Sequence, residues 1–227
     1  MSTKVYKKQI TCAVFDLDGT LLNTLKTINY YLNFALKKSG LGEVSQEDTC
    51  SFVGDGARKL ITRALGRVGA GEEYFDTVYE DYNKAYNSDP YYLTEPYDGI
   101  IEALDILKSR GIKLAVLSNK PDFATKSAVQ HFFGDRFSIA LGGCDHIPLK
   151  PAPDSLLSIL SKLCVSTDEV IYIGDSEPDI LTAKNAEIEL SVSVSWGFRT
   201  REQLISAGAK LLINRPDELI NLADQMN

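Results

Sequence analysis

Histidine, tryptophan and paired cysteine are scarce in this 227-residue chain, and each scarcity closes off a class of function. There are two histidines, His131 and His146, a single tryptophan, Trp196, and four cysteines. Cys12, Cys50, Cys144 and Cys164 lie far apart, with no Cys-x-x-Cys pair and no histidine at zinc-ligand spacing. They read as reduced thiols of a cytosolic protein, which excludes a disulfide frame and a zinc site. No uninterrupted apolar run approaches the length that spans a bilayer, so no membrane is expected as a partner. The opening residues, Met1 to Ile10, are polar and basic and lack the apolar stretch of a secretory signal. The expected location is therefore cytoplasmic. Positive charge is short as well: 24 Lys and Arg stand against 31 Asp and Glu, a net charge of −7. An acidic surface repels a phosphate backbone, which excludes nucleic acid as the expected partner. It would repel a phosphorylated metabolite too, unless a lysine or a metal supplies local positive charge. Composition leaves monomer and homodimer equally open.

What is present is a globular chain, 44% hydrophobic and 24% charged, long enough for a sizeable core and one smaller insert. Short β-prone runs at Ile10–Phe15, Lys113–Leu117 and Val170–Ile173 each stop abruptly at polar residues. Weaker strands are expected at Phe137–Leu141, Leu190–Val194 and Leu211–Ile213. Helical spacing joins Ile100, Leu104 and Leu107 between Asp98 and Ser109, and Leu156, Ile159, Leu160 and Leu163 between Pro153 and Leu163. Strand and helix alternating in this way predict an α/β fold, a parallel sheet covered on both faces. Residues 22–89 break the rhythm. They hold no convincing strand but have helical segments at Thr24–Lys38, Ala57–Val68 and Glu73–Asn87, which predict an all-helical insert. The expected division is a catalytic core of residues 1–22 and 90–227 and a helical cap of residues 23–89.

In an open parallel sheet, ligands bind beyond the carboxyl ends of the strands. The three strong strands deliver Asp16 and Asp18, then Ser118 and Asn119, then Asp175 and Asp179 to that edge. Lys150 follows the weak Phe137–Leu141 strand after a short loop. Converging carboxylates repel one another, and a hard cation such as Mg²⁺ relieves that repulsion while leaving room for phosphate oxygens. The set suits phosphoryl transfer, in which positioning and charge neutralisation carry most of the catalysis. Asp16, rigid at a strand end, is the candidate nucleophile, and Asp18 the candidate acid and base. Ser118 and Asn119 can donate to phosphoryl oxygens. Lys150 adds the missing positive charge.

Taken together in order, Asp16-Leu17-Asp18-Gly19-Thr20-Leu21, Ser118-Asn119-Lys120, Lys150-Pro151 and Gly174-Asp175-Ser176-Glu177-Pro178-Asp179 resemble the four motifs of the haloacid dehalogenase superfamily. Phe52-Val53-Gly54-Asp55-Gly56, Pro96-Tyr97-Asp98-Gly99, Ser118-Asn119-Lys120-Pro121 and Ser195-Trp196-Gly197-Phe198-Arg199 are similar to its phosphoglycolate-phosphatase-like branch. The resemblance implies a Rossmann-like core with a helical cap, Mg²⁺, and hydrolysis of a small phosphorylated metabolite through an aspartyl-phosphate, with 2-phosphoglycolate the leading substrate. By motif match, Asp16 is nucleophile and metal ligand, and Asp18 is acid/base and binds metal through its carbonyl. Asp175 is a metal ligand, and Asp179 is a ligand or supports one. Ser118 and Lys150 hold the phosphoryl group, with Gly19, Thr20 and Asn119 beside it. Gly54 and Gly56 belong to a cap loop facing the site or are simple breakers between helices. Arg58 is either a steering cation for a substrate carboxylate or a surface arginine. Two positions depart from the pattern: Asn23, where an aspartate is common, and Glu187, where a glycine often stands.

Each motif alone has a plainer reading. Asp-x-Asp-Gly favours turns, Ser118-Asn119 could cap a helix, and Asp175 and Asp179 could be an exposed helix start. Trp196 reads as packing, and the histidines as structural or exposed. Among competing functions, a phospho-receiver signalling module needs about half this length and leaves Asp18, Asp175, Asp179 and the insert unused. A sugar-phosphate mutase, pyrophosphatase or nucleotidase would keep the same core. A phosphonate hydrolase would need a cap lysine, for which Lys59 is the formal candidate. A dehalogenase would not need Asp18 and Asp175.

Overall fold

The computed structural model describes residues 9–144 and 146–225. Residues 1–8, on which the reading of the polar start rests, and Asn227, assigned to the core, lie outside the described residues. The elements run β1 (Cys12–Phe15), β2 (Leu22–Asn23), α1 (Leu25–Lys38), α2 (Gln46–Phe52), α3 (Ala57–Arg67) and α4 (Phe75–Ser88). Next come β3 (Glu95–Pro96), α5 (Ile100–Ser109), β4 (Lys113–Pro121), α6 (Asp122–Phe133), β5 (Ile139–Gly143) and α7 (Asp154–Leu163). The chain closes with β6 (Val170–Gly174), α8 (Glu177–Asn185), β7 (Leu190–Val194), α9 (Arg201–Ser206), β8 (Leu211–Ile213) and α10 (Asp217–Gln225).

Six strands form one parallel sheet in the order β5-β4-β1-β6-β7-β8. The central strands are apolar on both faces because helices cover both, so β1 reads Cys-Ala-Val-Phe with every residue buried. One apolar layer gathers Phe15, Leu104, Leu114 and Ile173 against α5 and α6. The other gathers Val14, Leu117, Leu156, Ile159 and Tyr172 against α7 and α8. The chain walks outward from β1 through β4 to β5, then returns to lay β6 on the other side of β1. That reversal opens a crevice at the carboxyl ends of β1 and β6.

The helices α1 to α4 form a separate apolar cluster around Leu32, Leu36, Ile61, Leu65 and Val78. Each presents residues at three- and four-residue spacing, as in Ile28, Tyr31, Leu32, Ala35 and Leu36 of α1. A two-residue antiparallel pairing, Leu22 with Pro96 and Asn23 with Glu95, joins the chain on its way into these helices and on its way out. The region read as strand-free thus begins on a strand, too short for any periodicity to show. Glu187, at the end of α8, has φ of 57°, the left-handed backbone that glycine adopts without cost. This accounts for the glycine usual there. No helix among the described residues is long and apolar enough to cross a membrane.

Candidate active site

Asp16 follows β1 and stays in register, its amide donating to the Ile173 carbonyl of β6 at 2.8 Å. Asp175 follows β6 in the same way. The two carboxylates therefore sit side by side where the strand order reverses. One ligand oxygen from each of Asp16, Asp175 and Asp179 lies within 4.8 Å of the others, and all three residues are buried. Space for this is made by glycines: a Cβ at Gly19 or Gly197 would overlap the Asp175 side chain.

The acids are not equivalent. Asp179 has both oxygens occupied. Oδ1 accepts from Lys150 Nζ at 2.7 Å and from the Tyr172 hydroxyl at 3.1 Å. Oδ2 accepts from the Ser176 amide at 3.1 Å and its hydroxyl at 2.5 Å, closing the N-terminal cap of α8. Asp179 is thus an anchor for Lys150 and for the helix that follows Asp175. Asp175 accepts from Thr20 Oγ1 at 2.9 Å on one oxygen and from the Phe198 amide at 2.8 Å on the other. Asp16 Oδ1 accepts from the Leu17 amide at 2.7 Å and pairs with Lys150 Nζ at 2.8 Å. Its Oδ2 receives no hydrogen bond among the described residues, and Asp16 borders the cavity above the strand ends.

Burial is the main cause that raises the Asp16 carboxyl well above the usual range, and the neighbouring Asp179 and Asp175 add to it. Burial followed by Asp179 pushes Asp175 up to about 7, against the lowering effect of the Phe198 and Thr20 hydrogen bonds. Burial works against the charge of Lys150, but Asp16 and Asp179 outweigh it and hold the ammonium well above its ordinary value. Three buried carboxylates stand against one ammonium, which pairs with two of them. That imbalance, in an all-oxygen donor set, fits a hard divalent cation such as Mg²⁺.

Above the strand ends lies a cavity of about 210 Å³. Asp16, Asp18, Ser118, Asn119 and Lys150 line its floor, and the loop and helices of residues 53–60 and 82–87 line its roof. Gly54 and Gly56 are on the roof. Asn119 spends its whole amide on backbone groups: Nδ2 donates to the roof carbonyl of Gly54 at 3.0 Å and to the floor carbonyl of Lys150 at 3.1 Å, and Oδ1 accepts from the Lys150 amide at 2.8 Å. Ser118 Oγ accepts from the Lys120 amide at 3.2 Å and faces the cavity.

Four sequence-based placements differ. Thr20 is completely buried and its hydroxyl serves Asp175, and Gly19 packs against the same side chain; neither lines the cavity. Arg58 lies over the rings of Phe75 and Tyr79, at 4.9 and 5.2 Å from their centroids. It is absent from the cavity wall, because its turn of α3 faces the start of α4 instead. Lys59 pairs with Asp55 at 3.5 Å on the surface and does not line the cavity either, so the phosphonate-hydrolase candidate lacks its lysine.

Other residues were not assigned roles by motif. Lys120 donates to Asp18 Oδ1 and Oδ2 at 3.1 and 3.3 Å and to the Tyr86 hydroxyl at 2.6 Å. No strand periodicity marked it, because Ser118 to Lys120 lie where the pairing of β4 with β5 shifts register between Leu117 and Pro121. Arg199 spans core and cap, its Nε donating to Glu177 at 2.8 Å, and its terminal nitrogens to the Cys50 and Val53 carbonyls at 2.8 Å each. Trp196 donates from Nε1 to the Thr20 carbonyl at 3.0 Å, so its packing role carries a hydrogen bond. His131 stacks on Tyr91 with centroids 3.9 Å apart, away from the site.

The sequence of residues 13–192 matches the family model described as haloacid dehalogenase-like hydrolase. The phosphoglycolate phosphatase of Aquifex aeolicus is 31% identical over 212 residues, covering 93% of this chain and 95% of its own. That of Agrobacterium fabrum is 34% identical over 189 residues, 82% of this chain and 81% of its own. Among solved structures, a Lactobacillus delbrueckii protein provisionally described as a phosphoglycolate phosphatase superposes with a TM-score of 0.90 at 32% identity. That superposition covers 96% of this chain and 99% of the other. With these sequence matches behind the strand-end acids, the chain belongs to the haloacid dehalogenase-like hydrolases.

Proposed function

We propose that the protein is a Mg²⁺-dependent phosphatase of small phosphomonoesters, working through an aspartyl-phosphate on Asp16 and located in the cytoplasm. The observation that carries the reading is the meeting of Asp16 and Asp175, from two different strands, beside Lys150. Asp16 and Asp175 carboxylates and the Asp18 carbonyl would hold the ion, with Asp179 fixing Lys150. When bound, Mg²⁺ offsets the negative charge of the acids and of the phosphoryl oxygens.

Asp16 Oδ2 attacks phosphorus, forming the Asp16–phosphorus bond as the ester P–O bond breaks. Asp18 gives its proton to the leaving oxygen. A water then attacks the phosphorus, its proton passes to Asp18, and inorganic phosphate leaves with Asp16 restored. Lys150 and the Ser118 hydroxyl meet the charge that spreads over the phosphoryl oxygens. The roof over the cavity keeps bulk water from the ester during the first step.

Among substrates, 2-phosphoglycolate is the leading choice, supported by its place in the names of the curated relatives at about 30% identity. The test is hydrolysis of an aryl phosphate with Mg²⁺ and with EDTA, by the wild type and by Asp16→Asn. Turnover is expected in the wild type with Mg²⁺ alone. Equal activity in all four samples would overturn the mechanism.

A further inference from the structure

Resting on that hydrolytic reading, we propose that Lys120 selects the leaving group, by binding a carboxylate attached to the ester carbon of the substrate. The roof of the cavity carries no positive charge: Val53, Ala57 and Leu60 are hydrocarbon, and Tyr82, Asn83, Tyr86 and Asn87 are neutral. The cationic residues that line the cavity are Lys120 and Lys150. Lys150 is committed to Asp16 and Asp179, at the phosphoryl end. Arg58, the cation expected to steer a carboxylate, is held on two aromatic rings away from the wall.

Geometry then places Lys120 at the other end. Its ammonium is 3.1 and 3.3 Å from the two oxygens of Asp18. A leaving oxygen that exchanges a proton with Asp18 must lie against that carboxylate, so a group on the adjacent carbon falls within reach of Lys120. The ammonium has three N–H donors. Asp18 Oδ1 and Oδ2 and, at 2.6 Å, the Tyr86 hydroxyl accept from it, so a substrate carboxylate takes over one of the two Asp18 contacts. Tyr86, on α4, also places its ring 4.7 Å from the Lys120 nitrogen and so fixes the direction of the side chain. Lys120 is only 10% exposed. A cation so shielded, beside hydrocarbon, discriminates more strongly between a carboxylate and a methyl group than an exposed lysine would. Tyr86 is a positioning residue for this contact.

The experiment compares kcat/KM for 2-phosphoglycolate and for ethyl phosphate, which carries a methyl where the first has its carboxylate. The proteins are the wild type, Lys120→Met, Lys120→Arg and Tyr86→Phe, all with Mg²⁺. The wild type is expected to prefer the carboxylate ester by roughly 10²-fold. Lys120→Met brings the ratio to within a few-fold of one, chiefly through KM, and Lys120→Arg keeps most of the preference. Tyr86→Phe lowers it several-fold. A wild-type ratio near one, or a ratio unchanged in Lys120→Met, overturns the proposal while leaving the phosphatase reading intact. If Lys120→Met does not fold, an unchanged ratio in Tyr86→Phe overturns it. Wild-type protein that hydrolyses neither ester with Mg²⁺ overturns the phosphatase reading itself.

Discussion

The floor of the cavity and its roof are made by opposite strategies. The floor is built from strand ends, where backbone pairing fixes each Cα and a single residue after each strand carries the chemistry. Asp16 and Asp175 are placed by β1 and β6 before any side chain is considered. The roof is built from helices whose own apolar cluster holds them together, and its cavity-facing side chains are whatever that packing leaves over. A floor made this way tolerates little change in the chemistry. The roof can be rewritten for another leaving group without disturbing the sheet. Charge divides in the same manner: every charged residue lining the cavity comes from the core, and the roof residues that meet it are neutral.

The strongest contrast is expected at Lys150. Lys150→Met strips the ammonium that pairs with two of three buried acids, and kcat should fall by at least 10²- to 10³-fold, the scale of a lost transition-state donor. The counterpart on the roof, Val53→Ala, should change kcat by no more than a few-fold in the same steady-state assay. A comparable loss at Val53 would erase the distinction drawn between the two regions.

The join between them comes next. Arg199 donates to two cap carbonyls and to Glu177, and the neighbouring Phe198 amide donates to Asp175. Arg199→Ala should therefore raise amide exchange across residues 50–56 and weaken Mg²⁺ binding several-fold, read by hydrogen exchange and by calorimetry. Faster exchange with unaltered Mg²⁺ affinity would separate the clamp from the metal site.

A pH dependence sharpens the description of the floor. Asp175 is pushed up to about 7 by burial first and by Asp179 second, from an ordinary value of 3.8. Raised in the folded state, it contributes stability that is present below its unfolded value and is lost as pH rises through about 7. The metal-free protein should thus lose thermal stability across that window. The rise in Tm on adding Mg²⁺ should be larger at about pH 8 than at about pH 5.5, since protons compete with the ion. A Mg²⁺ effect that is flat with pH, or larger in acid, would remove Asp175 from the ion's ligands.

The smallest effect is a pair of glycines. Gly66 lies in α3 with open space where a Cβ would stand, so Gly66→Ala should add about 0.5–1 kcal/mol of stability and leave kcat alone. Gly19 has φ of 87° and abuts the Asp175 carboxylate, so Gly19→Ala should destabilise and cost activity together. Chemical denaturation with parallel rate measurements checks both.

The difference between floor and roof also explains how much could be read in advance. Asp16, Asp18, Ser118 and Asp175 stood out because apolar runs stop at or just before them, and a strand that stops must deliver its next residues to the sheet edge; Lys150, separated from its strand by a loop, was placed by the motif before Pro151. The six strands were legible for the same reason. Helix α2 was not, because five of its seven residues are polar and only Thr49 is buried; its sign was the Ser45–Asp48 capping box. Arg58 misled because a helical residue's face is decided by its neighbours in space, here Phe75 and Tyr79. Thr20 was placed at the phosphoryl group, whereas its full burial turns its hydroxyl to Asp175. Lys120 was quoted within a motif, but its pairing with Asp18 and Tyr86 joins parts of the chain 102 and 34 residues away, a relation no local pattern carries.

The most direct test follows the phosphoryl group itself. With 4-nitrophenyl phosphate labelled at phosphorus, a reaction quenched early in acid should leave label on the peptide that carries Asp16 in the wild type, and none in Asp16→Asn. Nitrophenol released steadily with label on a different residue, or on no residue, would contradict the account.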